Sequence, residues 1–184
     1  MTDTRPAPAP VLVITGSARQ DSYTRQLGAA VAELADGVLA PRLTVLPYFD
    51  QDLEPAPPPV VESLRRQVRD AELVVVVTPE YNGTVPGLLG NAVDWLSRPY
   101  GAGALKGKRV VALAASPGGV GGARALVQLR TLLGNTGAEL VGPGGTVPDV
   151  HLRLPGGRAD ADLTAQLRVL LRGAGVDEDL PVAA

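Results

Sequence analysis

No cysteine occurs among the 184 residues. Its absence removes disulfides, thiolate nucleophiles, Cys-based zinc sites and iron–sulfur clusters together, and it fits a reducing compartment. Histidine occurs once, as His151. A multi-His metal site is thereby ruled out and a His-dependent catalytic triad, which would have to use this one residue, is nearly excluded; His151 is expected on the surface or in a loop. Charge of one sign is also lacking: the formal net charge is -2 without long runs, which argues against a nucleic acid or an anionic membrane as partner. No stretch approaches the ~20 consecutive apolar residues that span a bilayer. The first ten residues lack the apolar centre of a secretion signal, so the expected location is the cytoplasm.

What is present is a globular composition, with 45% hydrophobic residues, enough for one domain with a covered sheet. Short β-type runs alternate with helical patterns, the mark of βαβ units and a parallel sheet. Strands are expected at 11–15, 43–46, 73–77 and 110–115, with a fifth opening at 139–141 and interrupted by 142–145. Helices are expected from Ser22, over the segment carrying Val61, Leu64 and Val68, from Pro86 to Leu96, over the segment carrying Leu126, Leu129 and Leu133, and over 160–171. In the second helix Arg65, Arg66 and Arg69 are expected to point outward. The loop 47–59 is stiffened by Pro55, Pro57, Pro58 and Pro59. This order predicts a three-layer, doubly wound α/β domain over residues 10–172, with tails at 1–9 and 173–184.

Such folds bind ligands outside the carboxyl ends of the strands, where the strand order reverses. The loop after the first strand reads Gly16-Ser17-Ala18-Arg19-Gln20-Asp21-Ser22-Tyr23-Thr24. Its hydroxyls, the cationic fork of Arg19 and the N–H groups of the following helix start make a seat for a phosphate monoester. The alternative is a helix merely capped by Asp21 or Ser22, with Arg19 solvated. No G-x-x-x-x-G-K-[ST] sequence is present, so a P-loop NTPase is not supported. After the third strand, Thr78-Pro79-Glu80-Tyr81-Asn82-Gly83-Thr84-Val85-Pro86-Gly87 fixes an irregular turn with an aromatic face and an amide. A rigid connection without a ligand explains that composition equally well. The glycine-rich turn 118–122 lacks the G-x-G-x-x-G order of a dinucleotide fingerprint and follows the fourth strand rather than the first.

The stretch from Pro79 to Gly87, continued by Asn91-Ala92-Val93-Asp94-Trp95-Leu96-Ser97-Arg98, resembles the signature of the NADPH-dependent FMN reductase family. Gly16-Ser17-x-Arg19-x-x-Ser22 resembles that family's phosphate loop, and Leu46-Pro47-Tyr48 and Ser116-Pro117-Gly118-Gly119 follow in order. The resemblance implies a flavodoxin-like fold with a five-stranded parallel sheet of order 2-1-3-4-5 and helices on both faces. It implies FMN as cofactor, with Ser17, Arg19, Ser22, Tyr23 and Thr24 around the ribityl phosphate. Pro79, Glu80, Tyr81, Asn82 and Gly83 would line the isoalloxazine ring, and Ser116, Gly118 and Gly119 would close another side. Thr24 departs from the family's usual asparagine, and its hydroxyl can replace one amide hydrogen bond but not two.

The resemblance further implies a ping-pong cycle in which NADPH or NADH gives a hydride to FMN and a small acceptor is reduced at the same face. Flavins, quinones, azo compounds and chromate are the acceptor classes. No residue is expected to act as a catalytic acid or base, and Glu80 is expected to position its loop through an ion pair. A homodimer or homotetramer is implied, with the segment 48–54 meeting a partner, and Trp95 is read as core or subunit contact. The reading from another class is a flavodoxin-like electron carrier. Against it stand the balanced charge, Arg19 in the phosphate loop and an aromatic content of only 3%, which leaves few rings to sandwich a flavin.

Overall fold

The computed structural model describes residues 11–176; the expected tail at 1–9 and the segment 177–184 lie outside them. The central strands Val11–Thr15 (β1), Leu73–Thr78 (β3) and Arg109–Ala115 (β4) are apolar except at Thr15, Thr78 and Arg109. Their side chains are buried on both faces, as a sheet covered by helices on each side requires. β1 pairs in parallel with β3 from Val11↔Leu73 to Thr15↔Val77, and β3 with β4 from Leu73↔Arg109 to Thr78↔Ala114. With the edge strands Val38–Leu39 (β2) and Glu139–Leu140 (β5), the order is β2-β1-β3-β4-β5, the doubly wound order expected.

Alternate strand residues separate two cores. Val11, Val13, Val75, Val77, Val111 and Leu113 pack under helices α1 (Tyr23–Leu34) and α6 (Ala161–Gly173). Leu12, Ile14, Val74, Val76, Val110 and Ala112 pack under α2 (Pro59–Asp70), α3 (Gly87–Leu96) and α4 (Ala123–Asn135). The helix starts follow local chemistry. Asp160 accepts from the Leu163 N–H at 2.6 Å and binds Arg153 at 2.7 Å, capping α6. α3 begins one residue later than expected, with Pro86 outside it as the capping residue.

Three further expectations are corrected. The second strand is not 43–46 but Val38–Leu39, and Leu43–Val45 forms one 3₁₀ turn. After β2 the Ala40 N–H still donates to the Val13 carbonyl, but Arg42, the next donor in register, already caps the 3₁₀ turn and leaves the ladder. The apolar run then turns inward and buries Leu43 in the second core. The fifth strand is split into β5 (Glu139–Leu140) and β6 (Gly145–Val147), both paired with β4, so the sheet has six strands. Gly144 explains the break: its φ is +72°, and a Cβ there would lie 2.4 Å from the Ala112 carbonyl oxygen.

Arg65, expected outward, is only 3% exposed. It donates to the Trp95 carbonyl at 3.0 Å and to Glu62 at 2.6 Å, so the helix end of α3 supplies the acceptor that makes burial tolerable. A sixth helix, α5 (Val150–Arg153), carries His151, which is exposed as expected. Just after α6, Ala174 is buried in the first core, and Arg109 donates to its carbonyl at 2.6 Å. No helix among the described residues is long and apolar enough to cross a membrane.

Candidate functional site

Parallel strands deliver the loops after β1, β3 and β4 to one edge of the sheet, and those loops enclose a cleft of about 270 Å³. The size lies near the lower end of small-molecule sites, ~300–1,000 Å³, and the cleft is open along one side. Ser17, Arg19, Ser22, Tyr23 and Thr24 form one wall. Pro79, Glu80 and Tyr81 form the second, and Ala115, Ser116 and Pro117 the third.

On the first wall Ser17, Ser22 and Thr24 are buried. The Ser17 hydroxyl accepts from the Arg19 N–H at 3.3 Å, and the hydroxyls of Ser22 and Thr24 lie 2.8 Å apart. Ser22 stands at the N-cap of α1, yet its side chain caps no helix N–H, and the first turn contains no acidic residue. The start of α1 thus keeps its positive end for an anion. The Arg19 guanidinium lies 4.9 Å from the centre of the Tyr23 ring, which holds the cation beside the hydroxyls. The His151 ring also lies near Tyr23, with centroids 6.4 Å apart.

The second wall is a tight hairpin. Tyr81 and Thr84 exchange backbone hydrogen bonds of 3.1 and 3.0 Å. The two residues between them, Asn82 and Gly83, have φ values of +53° and +76°, the left-handed pair that a two-residue hairpin of the primed type demands. The turn directs Pro79, Glu80 and Tyr81 onto the cleft and carries Asn82 and Gly83 to its tip. The Tyr81 hydroxyl lies 3.5 Å from that of Ser17, where the two walls approach each other.

Glu80 ties the second wall to the third. Its carboxylate accepts from Arg124 at 2.6 and 2.9 Å and from the Ala125 N–H at 3.3 Å. α4 has Gly122 at its N-cap and therefore no cap side chain of its own. Glu80 supplies that acceptor from another loop, which bears out the expected positioning ion pair. The hydrogen bonds from Arg124 hold the Glu80 carboxyl below its ordinary value of 4.5, against the opposing effect of desolvation. In the third wall the Ser116 hydroxyl accepts from the Gly118 N–H at 3.1 Å. Gly118 and Gly119 are not among the residues that line the cleft, whereas Ala115 and Pro117 are.

A lowered carboxylate pKa stabilises the fold above its unfolded value, and that contribution is lost as pH falls through the folded value. The stability difference between the native protein and Glu80→Gln is therefore expected to be largest near neutral pH and to shrink progressively below pH 4.5. Thermal unfolding of both proteins across the acid range measures it. A difference constant with pH would place the Glu80 effect in packing rather than in its charge.

The donor set fits FMN. A cationic fork, buried hydroxyls and an unopposed helix start suit a phosphate monoester, and a cleft between a proline-rigid hairpin and an alanine–proline wall suits a flat heterocycle. A doubly wound sheet with this site at the junction of β1 and β3 defines a class of nucleotide-binding α/β protein. The family model for the NADPH-dependent FMN reductases matches residues 9–149. A quinone reductase of Pseudomonas putida is 43% identical over 116 residues, which are 61% of this chain and 62% of that protein. A 2-hydroxy-1,4-benzoquinone reductase of a Burkholderia species is 34% identical over 155 residues, 83% of this chain and 82% of that protein. Among solved structures, FerB of Paracoccus denitrificans, a flavoenzyme NAD(P)H:(acceptor) oxidoreductase, superposes with a TM-score of 0.77 at 30% identity, covering 91% of this chain and 96% of that one. The chain belongs to the NADPH-dependent FMN reductase family.

Proposed function

We propose that this protein is an FMN-dependent oxidoreductase that takes electrons from NADPH or NADH and reduces a small oxidised acceptor, quinones foremost. The single observation that carries the proposal is the phosphate-ready first wall set against a rigid second wall in one open cleft. In this reading Ser17, Arg19, Ser22, Tyr23 and Thr24 hold the ribityl phosphate. Pro79, Glu80, Tyr81, Asn82 and Gly83 set the plane of the ring, and Ser116, Gly118 and Gly119 bound its remaining side. Bound FMN supplies the redox chemistry, hydride acceptance from the nicotinamide and electron delivery to the acceptor. The protein binds, orients and shields. The hairpin at Tyr81–Thr84 keeps the second wall fixed, and Arg124 neutralises Glu80 beside the cleft, so that an anionic cofactor meets no bare carboxylate there. The open side admits nicotinamide and acceptor in turn.

The names of the relatives support an enzyme over a flavodoxin-like carrier, and quinones over the flavins, azo compounds and chromate that remain candidate acceptors. A homodimer or homotetramer in the cytoplasm completes the proposal. Tyr48 supports it, standing 89% exposed on a loop that is otherwise tied down.

The test is anaerobic absorbance titration of the FMN-loaded protein with NADPH, then NADH, followed by addition of benzoquinone. Bleaching of the flavin band by a stoichiometric nucleotide and its return with quinone are expected. A bound flavin that neither nucleotide bleaches would favour the carrier, and a protein that retains no FMN would overturn both readings.

A further inference from the structure

Arg42 lies outside the three loops that line the cleft, on the segment that follows β2. β2 runs beside β1 through Leu12↔Val38 and Val13↔Leu39. Adjacent parallel strands deliver adjacent loops, so residue 42 comes to rest over the first loop although 20 or so positions separate them. From there its guanidinium reaches three consecutive carbonyls: Nη1 donates to Ala18 at 3.3 Å and Arg19 at 3.5 Å, and Nη2 to Gln20 at 3.3 Å. Each bond is long and weak taken alone. One rigid planar group nevertheless fixes the orientation of three successive peptide units.

A trans peptide unit carries its C=O and its N–H on opposite sides. Three carbonyls turned toward Arg42 therefore turn the N–H groups of Arg19, Gln20 and Asp21 away from it. One of these is accounted for: the Arg19 N–H points to the Ser17 hydroxyl, at 3.3 Å on the wall of the cleft. Successive N–H groups facing one side form a concavity that binds anions.

We propose that Arg42 is a positioning residue for the phosphate of FMN. It holds the outer, carbonyl side of the loop so that the inner, N–H side is already set toward the phosphate before the cofactor arrives. Both of its Nη groups are engaged by carbonyls, and its effect on the ligand passes through the backbone. This rests on the reading of the first loop as the phosphate seat. Preorganisation of this kind acts on affinity by removing an ordering cost at binding.

The test compares the native protein with Arg42→Ala and Arg42→Lys, stripped of flavin. Dissociation constants are measured for FMN and for riboflavin, which keeps the ring and ribityl chain but lacks the phosphate. Hydrogen exchange is followed over residues 18–22 of each apoprotein. For Arg42→Ala, FMN affinity is expected to fall by about tenfold, the scale of one lost ionic hydrogen-bonding group, with riboflavin affinity little changed and exchange faster in the first loop alone. Arg42→Lys, which keeps the charge without the planar fork, is expected between the two. Unchanged FMN affinity or unchanged exchange overturns the inference. Equal losses for both flavins also overturn it, since they assign Arg42 to folding at large. A native protein that binds FMN no better than riboflavin overturns the phosphate seat itself, and that result is visible without any variant.

Discussion

Replacing Trp95 by alanine is expected to destabilise the protein by about 3–5 kcal/mol, the cost of truncating a large aromatic side chain in a core. Trp95 is fully buried on α3 and is the largest such side chain. Arg65 of α2 lies over its ring at 5.9 Å, and the loop 47–54 also packs against it. Its Nε1–H donates to the Pro47 carbonyl at 2.9 Å, and its ring meets the edge of Phe49 at 5.0 Å. Asn91, one turn earlier, accepts from the Phe49 N–H at 2.7 Å and donates to the same Pro47 carbonyl at 3.0 Å. Arg98, the next residue along this face, lies over the Phe49 ring at 5.3 Å and pairs with Glu54 at 3.3 Å. Truncation at position 95 therefore opens a cavity and removes the middle member of a three-residue clamp. Trp95→Phe keeps most of the volume and is expected to lose much less, about 1 kcal/mol for the hydrogen bond with a small cavity added. Urea denaturation of the apoproteins measures both. A loss below 1 kcal/mol for the alanine variant would show that Trp95 is not a core residue in solution.

Arg19→Ala is expected to weaken FMN binding by about 1.5–3 kcal/mol, the range for hydrogen bonds to a charged group, or roughly 10- to 150-fold in the dissociation constant. The side chain is exposed and forms a cation–π contact with Tyr23 at 4.9 Å. Its removal disturbs no core residue, so the apoprotein's stability is expected to change by less than about 0.5 kcal/mol. That combination separates ligand contact from folding. Arg19→Lys keeps the charge but loses the planar fork, and its FMN affinity is expected between the other two. The measurement is quenching of flavin fluorescence on titration with apoprotein. An affinity unchanged in Arg19→Ala would mean that the phosphate lies elsewhere.

The sheet was legible wherever both faces of a strand are buried, because runs such as 73–77 carry no polar residue for a helix to turn outward. The edges were not. β2 has only two residues, too few for a periodic signal, and the more apolar run beside it, 43–46, attracted the assignment. The cleft walls were legible because each follows a buried strand and combines residues with unusual backbone or charge. Arg124 and Arg42 were not, because their partners lie 44 residues away and more than 20 residues away. Only the parallel order of the strands brings them together. Arg65 shows the limit of helical periodicity: its face is set by an acceptor on α3, which the spacing of α2 cannot contain.

The bond between Glu80 and the start of α4 has a mechanical consequence. The hairpin after β3 and the first turn of α4 are joined by a carboxylate held at both oxygens. The loop after β1 is braced from outside instead, by Arg42. The two walls approach each other at the hydroxyls of Ser17 and Tyr81, 3.5 Å apart, so any widening of the cleft by a planar guest is read most directly by the separation of those two oxygens.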